Sequence, residues 1–73
     1  MRSFKTEGIV IKRKNYGEAD RILTVLTKNR GKISVIAKGV RKISSRRSSH
    51  IELLNLSIFN LHDGRMPILT EIE

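Results

Sequence analysis

The sequence predicts an all-β fold, five short strands folded into a small sandwich or barrel. Three observations predict it. Apolar residues recur with a period of two, the strand period, and not at the roughly 3.6 of a helix. Turn signals containing Gly, Asn or Asp separate the apolar runs. At 73 residues the chain forms one domain at most, and a domain this small buries only about 60% of the surface its unfolded chain exposes.

The first strand is read over Thr6 to Lys12, a β-branched and aliphatic stretch with Ile9 and Ile11 on one face. The second covers Ile22 to Thr27. Asn29-Arg30-Gly31 follows as a hairpin turn, with Gly31 available for a positive φ. The third runs from Lys32 to Lys38, with Ile33, Val35 and Ala37 on one face. Leu54-Asn55-Leu56-Ser57-Ile58 alternates cleanly and opens the fourth, which continues to about Leu61. His62-Asp63-Gly64-Arg65 is a turn, and Pro67 to Ile72 is the fifth strand. Pro67 suits a strand start or an edge, because it has no N–H to give to a ladder.

One segment breaks this rhythm. Gly39 to His50 holds Arg41, Lys42, Arg46, Arg47 and four serines, and it is too long for a hairpin loop. A long connection between strands three and four, often carrying a helix, is the layout of the five-stranded OB-fold barrel. The expectation is therefore an OB-fold barrel with a long basic loop or a short helix between strands 3 and 4. The segment reads both as a phosphate-contacting loop and as a disordered one, and the two readings are compatible.

Charge is the strongest compositional fact. Fifteen Lys and Arg against seven Asp and Glu give a net charge of +8. Residues 21–51 carry nine basic side chains (Arg21, Lys28, Arg30, Lys32, Lys38, Arg41, Lys42, Arg46 and Arg47) and no carboxylate. A surface charged only for solubility mixes both signs. This middle third does not, and a polyanionic partner is its natural reading.

Catalytic chemistry is missing from the pattern. His50 and His62 stand at no metal-ligand spacing, and there is no cysteine. No Gly-x-Ser-x-Gly elbow surrounds the serines, and Gly31, Gly39 and Gly64 are isolated, so no phosphate-cradling glycine motif is present. Glu18 and Asp20 stand two apart beside Gly17 and Arg21, a pair suited to fixing a turn. The expectation is a non-enzyme with no cofactor and no metal. Aromatic side chains are also scarce. Phe4 and Phe59 read as packing residues, whereas Tyr16, in a loop, is a candidate for stacking a base or for anchoring its turn. Binding is then expected to run on phosphates and counterion release, with weak sequence preference and steep salt dependence. Apolar runs such as Ile9-Val10-Ile11 fall far short of the roughly 20 residues of a membrane helix. No leader pattern follows Met1-Arg2-Ser3-Phe4-Lys5. A cytoplasmic location is expected.

Three motifs then resemble the N-terminal domain of the RecO family of recombination mediators. Thr6-Glu7-Gly8-Ile9-Val10-Ile11-Lys12 resembles its opening strand. Tyr16-Gly17-Glu18-Ala19-Asp20-Arg21-Ile22 resembles its Tyr-Gly-Glu-x-Asp-Arg-Ile stretch, and Ala37-Lys38-Gly39-Val40-Arg41 its Ala-Lys-Gly-x-Arg segment. The resemblance implies an OB-fold domain over residues 1–73 with a helical domain beyond it, which in many members holds a zinc site. It implies binding of single- and double-stranded DNA, strand annealing, and work with RecR and single-stranded-DNA-binding protein toward RecA loading, in a bacterial cytoplasm at the nucleoid. By position it makes Arg21, Lys38, Arg41 and Lys42 DNA-facing. Together with Lys32, Arg46, Arg47 and Tyr16 they form the expected DNA-binding set, on a groove of the second and third strands and the 39–50 loop. Two other functions remain open from the residues: an RNA-binding OB module, and a barrel whose basic face docks an acidic partner tail.

Overall fold

The computed structural model describes residues 2–41, 53, 54 and 56–73. The strands are β1 (Ser3–Tyr16), β2 (Asp20–Thr27), β3 (Gly31–Ala37), β4 (Leu56–His62) and β5 (Ile68–Ile72). They close in the order β1-β2-β3-β5-β4, with β4 returning to β1. This is the OB-fold barrel the sequence predicts, and no helix is present among the described residues. Most of the 39–50 connection, with its expected loop or helix, lies outside the described residues.

All neighbours pair antiparallel except β3 and β5, which meet in parallel at Ile36 and Ile68, with the Ile36 N–H donating to Pro67 O at 2.9 Å. Pro67 itself stands just before β5 and gives the ladder only its carbonyl. The interior is filled by alternating positions. Val10 comes from β1, Leu23 and Val25 from β2, Val35 and Ala37 from β3, Phe59 and Leu61 from β4, Leu69 and Ile72 from β5, with Val40 from the turn after β3.

β1 is the longest strand and serves two neighbours. Residues 3–9 pair with β4, and residues 8–16 pair with β2. Gly8 sits where it changes partner. A Cβ there would stand 2.8 Å from Val25 Cγ1 and 2.9 Å from Leu26 O, so only glycine lets the strands approach this closely. The sequence reading put Ile9 and Ile11 on one face of β1. The inward residues are in fact Thr6, Gly8 and Val10, while Ile9 is half-buried and Ile11 exposed. The hairpin turn after β2 is as expected: Gly31 takes φ +66°, and Thr27 Oγ1 accepts from the Arg30 N–H at 2.9 Å and donates to Gly31 O at 2.7 Å. β1 is far longer than the apolar run that announced it, and Lys38 falls in the turn after β3 and not in the strand.

Candidate nucleic-acid interface

The outer face of β1, β2 and β3 collects the lysines. Register across the three strands sets out three rows: Lys14, Ile22 and Ile36; Lys12, Thr24 and Ser34; Ile9, Leu26 and Lys32. Alternation places all nine on the side away from the core residues Leu23, Val25 and Val35. Tyr16 follows Lys14 by two and extends the β1 line, exposed at the end of the strand. Three lysines and a tyrosine thus border a patch of aliphatic and hydroxyl side chains; the three rows hold no carboxylate, and Asp20 stands opposite Tyr16 in the next one. The β1 and β3 lines lie about 10 Å apart, two strand spacings.

A bulge creates this arrangement. Val10 pairs with Val25, but Lys12 pairs with Thr24, which leaves Ile11 as the extra residue. Before the bulge the even-numbered residues of β1 face inward, and after it they face outward. Beyond Ile9 the strand also leaves β4, so residues 11–16 are all exposed. Lysines along an edge that no strand among the described residues pairs with keep it from templating another strand and also put positive charge at a rim.

The expected binding residues divide. Lys32 lies on the outer face and Tyr16 at its end. Arg21 has the opposite parity: it is half-buried, paired with Asn15 and Ala37, and its Nε donates to Asn15 Oδ1 at 3.3 Å. It stands with Arg13 on the barrel-mouth side of β1 and β2. Lys38 and Arg41 belong to the turn after β3, both exposed. Lys42, Arg46 and Arg47 lie outside the described residues. Lys12 and Lys14 were not singled out by sequence, although their spacing of two on a strand was the available signal.

The turn after β3 is fastened to the β1–β2 turn by three hydrogen bonds. The Gly39 N–H donates to Asp20 Oδ1 at 2.8 Å, the Arg41 N–H to Ala19 O at 2.9 Å, and Arg41 Nη1 to Gly17 O at 3.0 Å. Gly17 and Gly39 carry the positive φ values, +62° and +71°, that these two turns require. Asp20 is thus a turn-fixing carboxylate, as its place in the sequence suggested. At the opposite end of the barrel, Arg30 lies over the Phe4 ring, 3.8 Å from its centroid, and covers the core there. Just after β5, Glu73 accepts from Asn60 at 3.1 Å and pairs with Lys5 at 3.5 Å. The hydrogen bond first, and then the Lys5 charge, hold its carboxyl below the ordinary value. No group of His, Cys, Asp or Glu among the described residues is placed to hold a metal ion. No helix there is long and apolar enough to cross a membrane.

A closed five-stranded barrel in this strand order defines the chain as an OB-fold protein, a class whose members bind oligonucleotides or oligosaccharides on the face of strands 2 and 3. Over residues 1–73 it matches the family model described as Recombination protein O N terminal. It is 46% identical over 74 residues to the DNA repair protein RecO of Heliobacterium modesticaldum, covering 100% of this chain and 27% of that protein. It is 51% identical over 65 residues to the RecO of Acetivibrio thermocellus, covering 89% and 26%. Against the RecO of a Roseiflexus species it is 45% identical over 71 residues, covering 96% and 25%. The chain belongs to the RecO family, whose proteins serve DNA repair, and it corresponds to their N-terminal domain. It spans about a quarter of the length of these curated relatives.

Proposed function

We propose that this domain binds single- and double-stranded DNA without sequence preference, by its phosphates, as the DNA-contacting part of a recombination mediator. One observation carries the reading: the bulge at Ile11 sets Lys12 and Lys14 on the same outer face as Lys32, across β2 from it, and the three rows they occupy hold no carboxylate. Flexible lysines over aliphatic and hydroxyl side chains suit a sugar-phosphate backbone. They supply neither the forked donors nor the helix that base-edge readout uses. Neutralising phosphates on two strands lowers their mutual repulsion, which is the physical basis for annealing. In the full-length protein this activity would support RecA loading together with RecR and single-stranded-DNA-binding protein, in the cytoplasm at the nucleoid. The domain would act as a binding surface and not as an enzyme, with no cofactor.

A second reading has an observation of its own. Leu56, Ile9 and Leu26 form an exposed or half-exposed apolar row across β4, β1 and β2, next to the lysines. A protein partner carrying an acidic tail would find both kinds of contact there. The deciding experiment is fluorescence anisotropy of a labelled poly-dT oligonucleotide, repeated across salt concentrations, against a labelled acidic peptide. Micromolar DNA binding that collapses with salt supports the first reading. Peptide binding by a folded chain that ignores DNA at low salt supports the second.

A further inference from the structure

We propose that Asp20 is a positioning residue for DNA binding, holding Arg41 at the rim of the lysine-bearing face. The inference rests on the DNA-binding reading above and goes beyond it, because a carboxylate would ordinarily oppose a polyanion.

The geometry shows what this carboxylate does. Asp20 is half-buried and begins β2, directly opposite Tyr16 in the register. Its Oδ1 accepts the Gly39 N–H at 2.8 Å, a bond between residues nineteen apart in the chain. Two residues further on, Arg41 donates its own N–H to Ala19 O and Nη1 to Gly17 O. The exit of β3 is thereby tied at Gly39 and Arg41, the second and fourth residues of its turn, with Val40 buried between the ties. Gly17 is next to Tyr16, so the Arg41 guanidinium is delivered to the end of the line formed by Lys12, Lys14 and Tyr16. One donor is spent on Gly17 O, and the planar fork keeps others for a phosphate. An arginine pre-organised in this way loses less side-chain freedom on binding than a freely rotating one. Asp20 makes that possible from the far side of the turn, with its own charge partly engaged by a backbone donor.

The sign of the mutational effect separates this role from simple electrostatics. If Asp20 acted only through its charge, removing it would tighten DNA binding in every variant. Positioning gives a different order. In D20N an oxygen can still accept the Gly39 N–H while the negative charge is gone, so affinity for poly-dT stays at the wild-type level or rises. In D20A the acceptor is lost, and affinity falls several-fold despite the higher net charge. Losing one phosphate contact also flattens the salt slope by about 0.7 on a single strand. R41A should weaken binding similarly, and D20A/R41A should be no weaker than R41A alone.

The measurement is anisotropy of labelled poly-dT against wild type, D20N, D20A, R41A and the double variant from 50 to 200 mM salt, with circular dichroism confirming folded samples. D20A binding as tightly as wild type, or more tightly, overturns the proposal. Should D20A fail to fold, D20E decides. It keeps the charge and shifts the acceptor by one methylene, so several-fold weaker binding supports positioning, and unchanged binding overturns it. A wild-type chain that does not bind poly-dT removes the DNA reading and this role with it, and that result is seen before any variant is compared.

Discussion

Replacing Lys12 and Lys14 together by alanine tests the outer face directly. Both side chains are exposed, and they stand in adjacent rows two residues apart, so the change leaves the core untouched. Net charge falls from +8 to +6. The control pair is K5A/K28A, which removes the same charge elsewhere. Lys5 lies on β1 where it pairs with β4, beside Glu73, and Lys28 is in the turn after β2. On single-stranded DNA each phosphate contact contributes about 0.7 to the slope of log affinity against log salt. Two lost contacts flatten the slope by about 1.4. Over the fourfold range from 50 to 200 mM salt, K12A/K14A should then lose roughly sevenfold less affinity than wild type does. The assay is anisotropy of labelled poly-dT at five or more salt concentrations. The control should keep a slope near that of wild type. Equal slopes for the two double variants would refute the placement, because they would mean that net charge and not the outer face carries the binding.

The remaining predictions concern the scaffold. G8A should destabilise the barrel by about 1–3 kcal/mol, since a methyl at 2.8–2.9 Å from Val25 and the Leu26 carbonyl must push the strands apart; the melting temperature followed by circular dichroism should fall by at least about 4 °C, and an unchanged value would mean that the strands yield freely. Deleting Ile11 leaves Val10 and Lys12 adjacent, opposite Val25 and Thr24 in an unbroken register, so Lys12 and Lys14 stay on the outer face and cooperative melting should be kept; loss of a sharp transition would show that the barrel needs the local bend of the bulge. The Glu73 carboxyl has its folded value depressed, so the stability it contributes is present above the ordinary carboxylate value and fades as pH falls through the folded one. N60A should move the Glu73 titration seen by NMR upward, since that hydrogen bond is the largest cause of the depression, and K5A should move it less.

The fold was legible because its signals are local. Period-two runs located all five strands, and Asn29-Arg30-Gly31 announced a hairpin whose glycine takes the positive φ such a turn needs. The length of β1 was not legible. Its second half, Lys12 to Tyr16, is polar on both faces, since among the described residues it pairs only with β2 and is exposed throughout. Hydrophobic period cannot report a strand that buries nothing. The lysine-bearing outer face was legible only in part for a related reason. Counting basic residues picks out the carboxylate-free middle of the chain, but a surface is assembled by register. Arg21 lies in that basic middle and ends on the barrel-mouth side, whereas Lys12 and Lys14 lie outside it and end on the face.

The bulge explains why alternation counted from the apolar half of β1 puts these lysines on the wrong side, although their spacing of two shows that they share a face. Thr6, Gly8 and Val10 point inward. Continued alternation would send Lys12 and Lys14 into the barrel, where an unpaired ammonium is far too costly to bury. Unbroken alternation through Lys12 therefore places the lysines on the inner side. The extra residue at Ile11 resolves the conflict by reversing the parity once. The same bulge comes where β1 leaves β4, so among the described residues the strand keeps β2 as its only strand partner at the point where its side chains turn basic. A core-building strand and a charged rim are thus made from one continuous segment. The residue that joins them is an isoleucine whose own exposed side chain gives no hint of the role.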